Sequence, residues 1–287
     1  MKKLLFFLPV LPVFLIGFFG CTQMGDESEI ESLISSDFSS YFDLDVNYGR
    51  PDSDSIATPN SKAYQYVFWF RERTDWSRNI NISIEGDSAF VTFTRNVEGI
   101  LHRYPFDTPH PPDTLVDVPK SFSDAGEKYA IFKRIGDLSI HRGWVLTDIS
   151  GATLTSPTPS FHIDSVKVMD LNSNVILFVK DPLTLQSRDS LLSIPRGTDA
   201  TITVYTSPES VSVCVFVHTL AWGRIRRYRI REQNPGVYKG IWRSCYKDGI
   251  RRLGVDVIKY ETLFEDDSTL YPYDADAWII PYVSTAE

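Results

Sequence analysis

Residues 79–93 constrain the fold more than any other stretch of this chain. Ile80, Ile82 and Ile84 alternate with Asn79, Asn81 and Ser83, then Glu85-Gly86-Asp87 supplies a turn, and Ala89, Val91 and Phe93 alternate again. Successive side chains of a strand point to opposite faces, so this pattern is an antiparallel hairpin with one apolar face. A hairpin alone is marginal in water and needs further strands or a helix against that face. Residues 97–104, 127–135 and 143–149 can extend the sheet, and a proline-rich excursion from Pro105 to Pro119 interrupts it.

A helix is available to cover the apolar face. Ile30, Leu33, Ile34, Phe38, Tyr41 and Phe42 recur at intervals of three and four, the spacing of one helical stripe. Asp26 or Ser28 can cap its start, and Glu27, Glu29 and Glu31 suit the positive end of its dipole. Asp43 to Lys62 reads as a loop from its Asp, Ser, Pro and Asn content. The aromatic-rich stretch 64–76 reads as a second helix or a strand, and the helical spacing of Tyr66, Phe70 and Arg73 favours the helix. Helices followed by a curved antiparallel sheet, closed by Gly143-Trp144-Val145-Leu146-Thr147-Asp148-Ile149-Ser150, resemble the nuclear-transport-factor-2-like cone-shaped α+β fold over residues 28–153. The resemblance implies helices packed on a concave sheet around an apolar pocket, with Trp69, Phe70, Tyr129 and Trp144 as candidate lining residues. Plain core is the alternative for these rings.

Beyond Ser156-Pro157-Thr158-Pro159-Ser160, a Pro/Ser/Thr linker (154–160), apolar runs recur at sandwich-like spacing: 161–169, 175–179, 201–206, 211–220, 225–230, 236–242, 255–260 and 278–283. Turn signals such as Lys180-Asp181-Pro182, Pro195-Arg196-Gly197 and Lys247-Asp248-Gly249 separate them. This pattern predicts an immunoglobulin-like β-sandwich over 161–287. Asn234-Pro235-Gly236-Val237-Tyr238-Lys239-Gly240 resembles the turn-and-strand entry of bacterial immunoglobulin-like modules. The expected fold class is thus an α+β cone-shaped domain plus an all-β immunoglobulin-like sandwich.

The N-terminus bears on where such a chain resides. Met-Lys-Lys precedes an uncharged apolar run from Leu4 to Phe19, broken by Pro9, Pro12 and Gly17. That is the layout of a signal peptide (1–20), and it is shorter than the roughly 20 apolar residues a spanning helix requires. Phe18-Phe19-Gly20-Cys21 resembles the lipobox of bacterial lipoproteins, although phenylalanines stand where leucine and a small residue are usual. The resemblance implies cleavage before Cys21, acylation of Cys21, and a short lipidated tether (21–27). Thr22, in place of an inner-membrane retention aspartate, points to the outer membrane where a cell has two. An ordinary secretory signal and an uncleaved anchor are the alternatives.

Composition narrows the partners. The net charge of −8 becomes −10 once Lys2 and Lys3 are removed, which disfavours nucleic acid, whose phosphates need a basic face. Residues 22–155 hold 12 basic and 21 acidic side chains and residues 156–287 hold 15 and 16, an asymmetry consistent with a boundary near Thr155. If Cys21 is lipidated, Cys214 and Cys245 are left, either to pair in an oxidising compartment or to remain free, half-buried thiols. His102, His110, His141, His162 and His218 show no zinc-helix spacing, so no metal and no cofactor are expected. Asp266, Asp267, Asp274 and Asp276 lack the order of a calcium loop.

Neither Gly-x-Ser-x-Gly nor a phosphate-binding glycine loop occurs. Asp87, Asp124, Asp137, His102 and Tyr129 are the groups from which an isomerase-like pocket could draw an acid, base or donor. Arg227, Arg229 and Arg231 share one face of a strand and could bind an anion, or else pair with Glu261, Glu265, Asp266 and Asp267. Trp222, Trp242 and Trp278 could form a carbohydrate platform if exposed in a row. The expectation is a membrane-anchored, non-catalytic cell-envelope lipoprotein binding a protein or glycan partner. The alternative is small-molecule binding or isomerase-like catalysis in a pocket of the first domain.

Overall fold

The computed structural model describes residues 17–46, 56–57, 65–107, 117–221 and 224–286. The first 16 residues of the signal run, His110, Trp222, most of the expected 43–62 loop and the heart of the proline-rich excursion lie outside the described residues, as does the side chain of Cys21. Helix α1 (Gly17–Ser35) and the short α2 (Ser39–Phe42) are followed by strands β1 (Ile56–Ala57), β2 (Gln65–Glu85), β3 (Ser88–Asp107), β4 (Lys120–Arg134) and β5 (Trp144–Thr155). Next come β6 (His162–Met169), β7 (Val175–Val179), β8 (Gln186–Ser187), β9 (Ser193–Pro195), β10 (Asp199–Ser207) and β11 (Val213–Ala221). The chain finishes with β12 (Arg224–Asn234), β13 (Val237–Arg243), β14 (Gly249–Lys259), α3 (Tyr260–Phe264) and β15 (Ala275–Thr285).

The hairpin is present as read: Ile84 pairs with Ala89, Ile82 with Val91 and Ile80 with Phe93, around a turn in which Gly86 has φ +62°. It is far longer than its alternating segment. β2 and β3 pair from Gln65–Asp107 to Glu85–Ser88, with a bulge at Arg73/Asp75 that reverses which residues face inward. Residues 65–76 are therefore strand, not the helix their spacing favours. Trp69 and Arg71 both point inward at 0% and 2% exposure, and an inward arginine conceals the two-residue period.

The sheet continues in the order β1-β2-β3-β4-β5-β15-β14-β11-β12-β13-β10-β6-β7. This overturns the expected cone-shaped α+β domain joined to a separate immunoglobulin-like sandwich, because the C-terminal strand β15 is inserted between β5 and β14. Asp276 pairs with Thr155 and Ile279 with Ala152 on one side, and Leu253 with Ile280 on the other. The segment expected as a linker is built into this junction: Leu154 and Ser156 are buried, and the Ser156 N–H donates to the Ala275 carbonyl.

β11, β14 and β15 form a layer covered on both faces. On one face Val215, Val217, Val255, Val257, Trp278 and Ile280 pack with Val166, Val168, Ile202, Val204 and Trp242 of β6, β10 and β13. On the other, Ala277 and Ile279 join a core formed with Ile30, Leu33 and Ile34 of α1 and with Val91, Phe93, Phe132 and Leu146. Two-sided burial explains why Trp278–Val283 reads as a nearly unbroken apolar run.

Six strand spacings separate β2 from β11, about 29 Å in a flat sheet. Yet the Trp69 and Phe216 rings lie 5.3 Å apart, edge to face. The sheet from β2 to β11 is therefore curled, and α1 packs within the curl. α1 also begins earlier than its apolar stripe suggests, so Asp26 is no cap. Buried to 4%, it accepts hydrogen bonds from Arg134 and Arg142.

Candidate functional site

The inside of the curl is charged. On β4 the inward-facing residues are Lys120, Phe122, Asp124, Gly126, Lys128, Ala130 and Phe132, three of them ionisable. Facing them across the interior, Arg71 makes a two-pronged ion pair with Asp256 at 2.7 and 3.0 Å, both side chains being essentially inaccessible. His218, paired in register with Gly254 on the neighbouring strand, brings its Nε2 to 3.4 Å from Asp256. Gly254 leaves His218 room, since a Cβ there would stand 3.2 Å from that of the histidine.

Burial alone would push the Asp256 carboxyl up, but Arg71 and His218 outweigh it and hold it well below the usual carboxylate range. Burial holds the His218 ring below its ordinary value despite the same carboxylate, which favours the uncharged form. Arg227 stacks 3.5 Å over the Trp69 ring and donates to the Trp69 carbonyl at 2.9 Å. The Tyr273 hydroxyl donates to Asp124 at 2.9 Å. Lys120 donates to the carbonyls of Glu261 and Tyr271, and burial draws its amine down to about 8. Lys128 is wholly buried, its amine has no hydrogen-bond partner, and burial followed by the nearby Arg252 lowers it to about 7.

Among the described residues an opening leads toward this interior. A cavity of about 120 Å³ is lined by Asp43, Asp45, His218, Arg252, Gly254 and Ile279 among others. Arg252 closes one side by donating to the carbonyl and carboxylate of Asp43 at 2.6 Å each. This arrangement can orient a small polar guest by hydrogen bonds to an imidazole and a carboxylate.

The residues singled out by sequence do not converge there. Trp69 belongs to a cluster with Phe216, Leu101 and Ile258, whereas Trp144 belongs to the α1-covered core with Arg134 stacked 4.6 Å over it. Phe70 projects from the opposite face of β2 and stacks on His102 at 4.6 Å, and Tyr129 lies on the outward face of β4. His102 is held between Asp117 and Glu72 at 2.5 and 2.8 Å; these bonds outweigh burial and raise its pKa. Asp87 is 83% exposed, Asp137 caps a loop through Ser139, and only Asp124 of the isomerase-like set is in the interior.

Arg227, Arg229 and Arg231 do not form a common anion face: Arg227 is committed to Trp69, Arg229 is half-buried and Arg231 exposed. Trp242 and Trp278 are buried at 1% and 5%, so they offer no carbohydrate platform. Cys214 and Cys245 are free thiols, both buried, in separate core clusters, so the pairing their number allows is not made. Among the described residues no group of three His, Cys, Asp or Glu side chains is placed to hold a metal ion, and no helix is long and apolar enough to cross a membrane.

Sequence reasoning missed Arg71, Lys128, His218 and Asp256. The available signal was charge in phase with apolar alternation, as in Lys120-x-Phe122-x-Asp124 and Lys128-x-Ala130-x-Phe132.

The fold and interior together define a class, that of a curled antiparallel sheet enclosing a helix-covered, charged interior. No protein-family model matches the chain, and no curated protein or solved structure shows significant similarity to it.

Proposed function

We propose that this chain is an exported, membrane-anchored cell-envelope lipoprotein, acylated at Cys21, that acts without catalysis by binding a protein partner. The observation carrying the binding reading is strand β7. Its five residues, Val175-Ile176-Leu177-Phe178-Val179, are all apolar, and among the described residues it pairs with β6 alone. Val175 and Phe178 are 56% and 50% exposed. A groove of about 360 Å³ beside it is lined by Leu177, Phe178, Pro182, Ile280 and Pro281. An edge with open backbone donors and acceptors and no charged guard within it is the surface that an added strand completes, and only a polypeptide supplies the matching backbone.

The anchoring reading is supported by the lipobox-like run and by where the fold takes hold. Asp26, five positions after Cys21, is buried, and the α1 residues of the core begin at Ile30, so cleavage before Cys21 removes none of them. A photo-crosslinking residue in place of Phe178 is expected to give one discrete protein adduct in living cells, lost when Val175→Lys is added. No adduct, or one indifferent to Val175→Lys, contradicts the edge-strand reading.

The second reading, small-molecule binding or isomerase-like chemistry, is favoured by the cavity reaching buried His218. A small molecule retained in native mass spectrometry, with no crosslinked adduct, would favour it over the first.

A further inference from the structure

The connection from β4 to β5 carries Ile135, Leu138 and Ile140, which are 68%, 70% and 60% exposed. Three large apolar side chains in one short loop are an unfavourable load for a surface facing only water. The loop is not slack. Gly136 N–H donates to the Gly143 carbonyl, Gly143 N–H to that of Ile140, and Ile140 N–H to that of Asp137, each at 2.9 Å. Asp137 accepts from both the N–H and the hydroxyl of Ser139 at 2.8 Å.

The base of the loop is clamped to the first part of α1. Arg134 and Arg142 both donate to Asp26 at 2.6 Å, and His141 Nδ1 lies 2.8 Å from Glu29. The Arg142 guanidinium also passes against Gly25, where an added Cβ would stand 3.1 Å from it.

Asp26 follows Cys21 by five residues, a distance of about 8 Å as helix and at most about 18 Å fully extended. A lipid on Cys21 resides in one leaflet, whose headgroup zone is roughly 5–8 Å deep. So short a tether keeps Asp26, and with it the clamped loop, at the bilayer surface.

On this geometry we propose that loop 135–143 docks on the bilayer that carries the Cys21 lipid, placing Ile135, Leu138 and Ile140 at the boundary of headgroups and acyl chains and so orienting the folded body. The inference rests on the lipoprotein reading above. Exposed Lys133 beside the loop suits anionic headgroups. Docking converts one lipid attachment into a second, non-covalent contact that limits rotation about the tether.

The test uses the full lipidated protein in vesicles of phosphatidylethanolamine and phosphatidylglycerol, with Leu138→Cys carrying an environment-sensitive fluorophore. The reference is the same label at Leu171→Cys, a position 71% exposed at the β6–β7 turn. Cys214 and Cys245 are each 1% exposed and are not expected to compete for the label. The label at 138 is expected to shift to the blue, brighten by about twofold or more, and be quenched by lipids spin-labelled near the headgroup, while the label at 171 is not. Incorporation of labelled palmitate is read on the same preparation. Palmitate present with a water-like signal at 138 overturns the docking and leaves the lipoprotein reading standing. Palmitate absent overturns that reading, and the docking with it.

Discussion

Asp256→Asn is expected to cost the protein about 3–5 kcal/mol of stability, the range seen when one member of a fully buried ion pair is removed. The substitution preserves shape and removes charge. Arg71, 2% exposed, would keep its guanidinium in the interior facing an amide, with His218 at 3.4 Å also losing its carboxylate. Urea denaturation followed by tryptophan fluorescence reads the effect as a fall in midpoint at unchanged slope. Arg71→Met combined with Asp256→Leu removes both charges and is expected to recover most of the loss, because the cost comes from the unpaired ion rather than from a missing attraction. A single Asp256→Asn change within about 0.5 kcal/mol of the parent would show that the interior is wetter than the structure indicates.

Lys128→Met is expected to act in the opposite direction. The Lys128 amine is inaccessible and unpartnered, and its pKa falls from 10.5 to about 7 on folding. The unfolded chain therefore binds more protons than the folded one between pH 7 and 10.5. Stability rises with pH through that window, and below pH 7 the penalty is present in full. A tenfold change in proton affinity corresponds to about 1.4 kcal/mol, so the penalty at and below neutral pH is on the order of 5 kcal/mol, and replacement by methionine removes much of it. Lys120, lowered to about 8, contributes in the same sense, so the informative quantity is the difference between the two stability-against-pH curves. That difference should be largest at and below pH 7 and vanish toward pH 10.5. A variant less stable than its parent at pH 7 would mean that the amine has a favourable partner.

Much of the local structure was legible. The alternation through Ile80 to Phe93, the apolar stripe Ile30, Leu33, Ile34, Tyr41 and Phe42, and the C-terminal runs between turn signals all correspond to elements, with β7 at the residues expected. Which strands become neighbours was not legible, because a two-residue period defines a face and says nothing about a partner. β5 and β15 meet across more than a hundred residues, and without that pairing the two parts read as independent domains. The interior was obscured for a different reason. Arg71, Lys120, Asp124 and Lys128 occupy inward positions where apolar residues would have marked the face, and Arg71 finds Asp256 185 residues away. Two-residue spacing put Arg227 in phase with Arg229 and Arg231, yet it could not show that Trp69 lies beneath the first of them, which removes it from a shared anion face.

Mass spectrometry of the N-terminal peptide of the mature protein, isolated from its native membrane, most directly tests whether this sheet is held at a bilayer. The expected peptide begins at Cys21, carries a thioether-linked diacylglyceryl group, and disappears in Cys21→Ser, which accumulates as unprocessed precursor. A mature chain that starts elsewhere, or one that starts at Cys21 with an unmodified thiol, would contradict the account.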